Sequence, residues 1–318
     1  MPGPVESLLA LRNATTSRTF IAADRLPPDV EHPLVRLQLQ ADTANDVMAL
    51  VRAFLDRAAK ASADGNLVLK AYDGAAMTAE YEVDELPVST EAKLASAVQP
   101  FTLETDARAY KAAADALRSF ICIAVTVRTT PGTAPIVFFR KQTQPMELRS
   151  DRKVRLFSSQ GVFDKLDQAT FLLDEDIDVV YVADTLLIFN KDRFHTMFGY
   201  YEGLQKFAKD AMPNVKAAVP IQNFEEFEAA CLADKTLMKR LRRTIGSMPK
   251  TFDMVRVAKT IAEQAIPVKL GGTKKNPLLV FEKAKKHDFF TLLEDGFLKS
   301  SITDALYEAN SKRARKAT

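Results

Sequence analysis

Histidine, cysteine and long apolar runs are scarce in this sequence, and each scarcity removes a class of chemistry. The 318 residues include three histidines (His32, His195, His287), far apart and none in an H-E-x-x-H setting. The two cysteines, Cys122 and Cys231, form no Cys-x-x-Cys pair. Zinc centres of the common spacings are therefore not signalled. Both cysteines lie in apolar segments and read as buried, reduced thiols, which suits a compartment where disulfides are rare. The longest apolar stretch, residues 120–127, is interrupted by Thr126 and ended by Arg128. It falls far short of the roughly 20 residues that a spanning helix needs. Glu6 stands where a secretory signal would be apolar, and no basic segment precedes it. The expectation is a cytoplasmic protein.

Nucleotide and nucleophile motifs are absent too. There is no G-x-x-x-x-G-K-[ST] loop, no G-x-G-x-x-G fingerprint and no G-x-S-x-G elbow. Gly271-Gly272-Thr273-Lys274 has the composition of a phosphate loop without its spacing. Glu91-Ala92-Lys93 supplies the E-x-K triplet of metal-dependent nucleases, but in an expected helix, without the strand and aspartate that would precede it. The acidic run Asp174, Glu175, Asp176 and Asp178 reads as a solvated loop before a strand. No catalytic residue, metal ligand or cofactor is assigned.

What is present is an ordinary globular composition, 47% hydrophobic and 27% charged, at a length that suggests about two domains. The first 35 residues read as irregular structure or an early strand. Val47, Leu50, Val51, Phe54 and Leu55 mark one face of a helix that starts near Asp42 or Thr43 and ends at Asp64-Gly65. Segments 66–72 and 78–83 alternate around Asp73-Gly74 as strand, turn, strand. Helices are expected over 89–98 and 106–117, and strands over 120–127, 136–142 and 153–159. Residues 177–182 and 186–189 read as a hairpin, followed by Asn190 as a helix cap. Phe194, Met197, Phe198, Tyr201, Leu204 and Ala208 then recur at helical spacing until Pro213. Further helices are expected over 224–233, 235–246, 252–264 and 284–293, with a short strand at 278–281 and a terminal helix over 303–316. The fold class is a mixed α+β protein, sheet-rich in its N-terminal and central parts and helical and basic in its C-terminal part. The expected division is an α/β region 1–116 and a C-terminal region 117–318, the latter made of a hairpin–helix unit 177–212 and a basic helical part 223–318.

Charge is segregated along the chain. Residues 235–318 carry 19 Lys/Arg against 8 Asp/Glu, whereas residues 1–234 carry 25 against 33. A basic region beside an acidic one recruits polyanions to one end of the chain. Within 235–246, Lys235, Lys239, Arg242 and Arg243 recur at helical spacing with Arg240 close by, opposite Leu237, Met238, Leu241 and Ile245. Lys274 and Lys275 follow the Gly-Gly pair, and Lys283, Lys285 and Lys286 open the next helix. Such groups bind nucleic-acid phosphates without reading bases. The candidate phosphate contacts are Lys239, Arg240, Arg242, Arg243, Lys274, Lys275, Lys283, Lys285 and Lys286, with Lys312, Arg313, Arg315 and Lys316 of the tail as a secondary set.

The order of three stretches adds a resemblance: 179–208 with Ile188, Phe189, Asn190 and Phe194 at a strand-to-helix junction, the helical 223–264, and 287–316 with its LLEDGFLKSSIT segment. Together they resemble a bacterial family that includes the KwaB subunit of the Kiwa anti-phage defence system. The resemblance covers about the last 140 residues, and the first 110 match only in length and order. It implies a cytosolic effector that binds DNA, hinders phage DNA replication and late gene expression, and works beside a small multi-helix membrane protein, KwaA. Recruitment to the inner face of the membrane would come through that partner. No catalytic motif is carried over. A homodimer would double the basic surface. Two other readings stand beside this one: a metal-dependent nuclease built from scattered carboxylates, and an adaptor docking on a membrane protein or anionic lipid.

Overall fold

In a computed structural model of the chain, residues 3–13, 17–29, 31, 33–75, 81–103, 107–111, 120–129, 133–142, 156–159, 162–165, 176–248, 252–300 and 303–308 are described. The fold is α+β. The chain forms two units, 1–72 with 77–200, and 73–76 with 201–318. The division falls after residue 200, not near 116, because strands from both sides of 116 hydrogen-bond into one sheet.

That sheet has nine strands in the order β3 (Val68–Ala71), β4 (Glu82–Pro87), β11 (Thr185–Ile188), β10 (Val179–Val182), β7 (Ile136–Lys141), β6 (Cys122–Arg128), β1 (Ser17–Ala23), β2 (Val35–Leu37) and β5 (Arg108–Ala109). The central strands are apolar on successive residues because both faces are covered. Ala124, Phe139 and Val179 face a core shared with helix α3 (Ala92–Leu103) and helix α4 (Lys191–Phe198). Their neighbours Val125, Phe138 and Val180 face the opposite core, with Leu8 of α1 (Pro4–Leu9) and Val47, Val51 and Phe54 of α2 (Ala41–Ala63). A separate hairpin, β8 (Leu156–Ser159) and β9 (Val162–Lys165), contains the strand expected near 153–159.

Several local expectations hold. The hairpin between β10 and β11 turns on Ala183 and Asp184, both at positive φ (47° and 61°), the two-residue geometry that matches strand twist. Asn190 caps α4, its side-chain oxygen accepting from the Arg193 N–H at 3.1 Å. Helix α2 closes at Asp64 with Gly65 at φ +69°.

Others are corrected. Strands β3 and β4 run parallel, Val68 opposite Glu82 and Ala71 opposite Glu85, so they are not the two arms of a tight-turn hairpin. Residues 108–109, expected to be helical, form an edge strand parallel to β2. The helix through Phe194 and Ala208 is two helices, α4 and α5 (Glu202–Ala218), broken at Gly199, which caps α4 in the left-handed region at φ +56°. The break serves two cores: Phe194, Met197 and Phe198 pack in the first unit, and Leu204, Ala208, Met212 and Val215 in the second. Pro213 does not end α5, because Val215 and Val219 beyond it are buried in that second core. Residues 306–308 form a strand where a helix is expected. The remainder of that segment, 309–316, lies outside the described residues, as does most of 106–117.

The second unit is helical with two small hairpins. Helices α6 (Phe224–Ala233), α7 (Lys235–Ser247), α8 (Met254–Glu263) and α9 (Lys286–Leu293) surround Phe227, Phe281, Phe289 and Phe290, whose ring centres lie 5.3–5.8 Å apart in successive contacts. The hairpins are β12 (Lys269–Gly272) with β13 (Pro277–Val280), and β14 (Phe297–Lys299) with β15 (Leu306–Glu308). Asn223 locks β13 to the start of α6: its side-chain amide donates to the Phe281 carbonyl and accepts from the Phe281 N–H, both at 2.8 Å. Among the described residues, no helix is long and apolar enough to cross a membrane.

Candidate functional site

The thirteen basic residues singled out above separate into three groups once they are placed. The first is internal. Arg240 donates to both carboxylate oxygens of Glu294 (3.4 and 3.1 Å) and to the Thr291 hydroxyl (2.8 Å), with its guanidinium 5.5 Å from the centre of the Phe290 ring. Lys286 reaches Asp234 at 2.8 Å. Arg242 is only 7% exposed. Of the face of α7 read as outward, Arg242 is buried, while Lys235 and Arg243 stay exposed. Helix α7 packs against α5, α6 and α9 together, and three neighbours leave little of a helix free. Arg240 and Lys286 thus hold ion pairs within this unit, and Arg242 is buried in it.

Electrostatics bear this out. Asp234 caps α7, accepting from the N–H groups of Thr236 (2.8 Å) and Leu237 (3.3 Å). The Lys286 ammonium, ahead of these cap bonds, holds its carboxyl below the usual value of 3.8. Burial pushes the Glu294 carboxyl up, but Arg240, Thr244 and Arg243 outweigh it and leave it below 4.5.

The second group is exposed. Lys274 and Lys275 occupy the two central positions of the β12–β13 turn, closed by Thr273 and Asn276, which exchange both backbone hydrogen bonds at 3.1 Å. Gly272 makes that turn possible: its φ is +72°, and a Cβ there would lie 2.4 Å from the Asn276 carbonyl oxygen. Lys283 and Lys285 stand exposed in the short 3₁₀ turn before α9. Among the described residues, none of these four ammonium groups lies within ion-pair distance of a carboxylate. Arg243 is exposed too, though 3.3 Å from Glu294. Lys239 is half-buried, 5.7 Å from the centre of the Tyr201 ring. The third group, Lys312, Arg313, Arg315 and Lys316, lies outside the described residues.

A charge network in the first unit escaped the sequence reading. Asp178, taken there for part of a solvated acidic loop, is 1% exposed. Its carboxylate accepts from Arg140 (3.1 Å), Arg193 (3.0 Å) and the Lys141 N–H (2.7 Å), tying β7, β10 and α4 together. Nearby, Lys191 meets Asp84 at 2.6 Å and Glu82 at 3.7 Å, while Lys70 meets Glu82 at 2.7 Å. Glu82, Asp178, Asn190 and Arg193 line a pocket whose walls include Phe54, Leu67 and Phe189. The available signal was a pair of acids, Glu82 and Asp84, on alternate positions of a strand that also holds Val83 and Leu86. Of the nuclease-like triplet, Lys93 donates to the Gly199 carbonyl at 2.6 Å, the end of α4. No group of three or more His, Cys, Asp or Glu among the described residues is placed to hold a metal ion. Burial pushes the thiols of Cys122 and Cys231 up to about 12, far from reactive.

These features describe an α+β protein with buried ion pairs in its first unit and, among the described residues, four exposed lysines without carboxylate partners. Residues 122–303, more than half of the chain, match the model of a family described as Kiwa protein KwaB-like. The chain belongs to that family, which ties it to Kiwa anti-phage defence. No curated protein matches it, and no solved structure does.

Proposed function

We propose that the chain is a non-enzymatic, cytoplasmic defence effector that binds DNA through lysine–phosphate contacts, largely without sequence preference. Occupancy of phage DNA then blocks its replication or late expression. A small multi-helix membrane protein of the same system, KwaA-like, and a second copy of the chain are its partners in this reading. The observation that carries it is the exposure of Lys274, Lys275, Lys283 and Lys285 without carboxylate partners among the described residues. Extended chain between Lys275 and Lys283 spans at most about 28 Å, so both ends fit on one stretch of duplex. Four contacts give a salt slope of about −3.6 in log–log form.

The test is binding to a labelled duplex of arbitrary sequence between about 50 and 200 mM salt, with and without Mg²⁺. The expected result is salt-steep binding with no cleavage. K274E/K275E and K283E/K285E are expected to weaken binding on every sequence and to flatten the slope. Unchanged affinity in both folded variants would refute the assignment, and Mg²⁺-dependent cleavage would replace it with the nuclease reading.

A further inference from the structure

The pocket of the first unit holds about 260 Å³, at the small end of ligand sites and enough for a single nucleoside. Helix α2, the start of β4, the residues leading into β10 and the start of α4 frame it. Part of its wall is aromatic. Phe54 and Phe189 meet edge to face with ring centres 4.8 Å apart, and Tyr81, 40% exposed, lines it too.

The polar lining is charged, and its buried charges are already answered. Asp178 is held by Arg140 and Arg193, and Glu82 by Lys70 and Lys191. A ligand with a net charge would have to compete with these pairs, whereas an uncharged one leaves them intact.

Three polar groups remain for such a ligand. Asn190 spends its amide oxygen on the cap of α4, and its amide nitrogen has no partner among the described residues. Arg193 donates to Asp178 through Nη1, and its other donors have no partner among the described residues. The Asp176 side chain is 65% exposed, and its ion pairs with Arg57 and Arg140 are long, 3.8 and 4.0 Å. Two side-chain donors and a loosely held carboxylate acceptor thus stand beside aromatic rings. The matching chemistry is a flat ring with an adjoining carbonyl and ring N–H, a lactam edge. Guanine and thymine carry one. Adenine has no carbonyl, and the cytosine ring nitrogen beside its carbonyl bears no hydrogen.

We infer that this pocket binds an uncharged nucleoside through the lactam edge of its base. The ring lies against Phe54 and Phe189, the carbonyl accepts from Asn190 and Arg193, and the ring N–H donates to Asp176. The site belongs to the first unit and is separate from DNA binding by the 274–285 lysines of the second.

Equilibrium dialysis of the full chain against labelled guanosine, thymidine, adenosine and cytidine tests this. Guanosine or thymidine is expected to bind saturably, with a Kd at or below about 1 mM. Adenosine and cytidine are expected to bind about tenfold more weakly, as for a lost hydrogen bond to a charged group. Asp176→Ala, at an exposed position, is expected to weaken the lactam nucleosides about tenfold and to bind duplex DNA as the unaltered protein does. The inference is overturned if neither guanosine nor thymidine binds at about 1 mM, or if adenosine and cytidine bind as tightly as they do. It is overturned as well if guanosine monophosphate binds far more tightly than guanosine, which would make the ligand an anion, or if folded Asp176→Ala binds guanosine and thymidine undiminished. Should Asp176→Ala fail to fold, the ranking of the four nucleosides decides alone.

Discussion

At the scale of single residues, charge inside this protein serves the fold. Lys191, Asp84 and Glu82 are all at most 3% exposed. Removing one member of such a set leaves an uncompensated charge in a poorly solvated place. Lys191→Met is therefore expected to cost about 3–5 kcal/mol, read from the urea midpoint. Arg240→Ala is expected to cost about 2 kcal/mol, since the Glu294 carboxylate, 12% exposed, loses its bidentate donor. Acid sensitivity follows from the same groups. Asp234 and Glu294 both titrate below their ordinary values of 3.8 and 4.5 in the folded chain. Their stabilisation is complete above about 4.5 and is lost as pH falls through the lower folded values. Circular dichroism across that range should show the second unit losing stability on acidification. In Arg240→Ala the part of that loss due to Glu294 should shrink, because its folded carboxyl moves back up toward its ordinary value.

At the scale of elements, caps and turns were legible and helix orientation was not. The Asn190 cap, the end of α2 at Asp64-Gly65 and the β10–β11 hairpin are local signals satisfied by neighbouring backbone, so the sequence announces them. The face that α7 presents is a different matter. Its Lys/Arg spacing is that of a solvated stripe, yet Arg242 is buried, and Arg240 points into a seam because Thr291 and Glu294 arrive from α9 and its end, some fifty residues away. The aromatic stripe over 194–208 was legible as apolar periodicity, but nothing in the periodicity said that two cores share it. Gly199 marks the break. Gly199→Ala is expected to cost about 1 kcal/mol, and the cost is conformational. A Cβ there meets only the Lys93 Nζ, at 3.8 Å, so thermal denaturation should show a modest drop and an intact fold.

At the scale of the whole molecule, the acidic and basic parts of the chain correspond roughly to the two units. Tyr72 and Tyr200, the residues at which the chain leaves the first unit, belong to one aromatic cluster there, with ring centres 5.9 Å apart. The Tyr72 hydroxyl is hydrogen-bonded to His195 at 2.7 Å. Lys191 and Arg240 lie in different units, the one paired with Asp84 and Glu82 and the other with Glu294. Their stability costs should therefore add in the Lys191→Met/Arg240→Ala double variant, within about 0.5 kcal/mol. A clearly larger or smaller sum in urea denaturation would show that the two sites are energetically coupled.

By itself the sequence determined the class of fold, most of the helices and hairpins, the concentration of cations after residue 235 and the resemblance that the family match bears out. These rest on local periodicity, turn chemistry and composition, all readable within a dozen residues. Only the tertiary structure decided that β3 and β4 run parallel, that the chain divides after residue 200, and that Asp178 is buried under two guanidiniums. It alone sorted Arg240, Arg242 and Lys286 from Lys274, Lys275, Lys283 and Lys285. A charged side chain carries the same letter whether it faces water or a carboxylate from a distant helix. Which of the two it meets is set by long-range packing that no local pattern encodes.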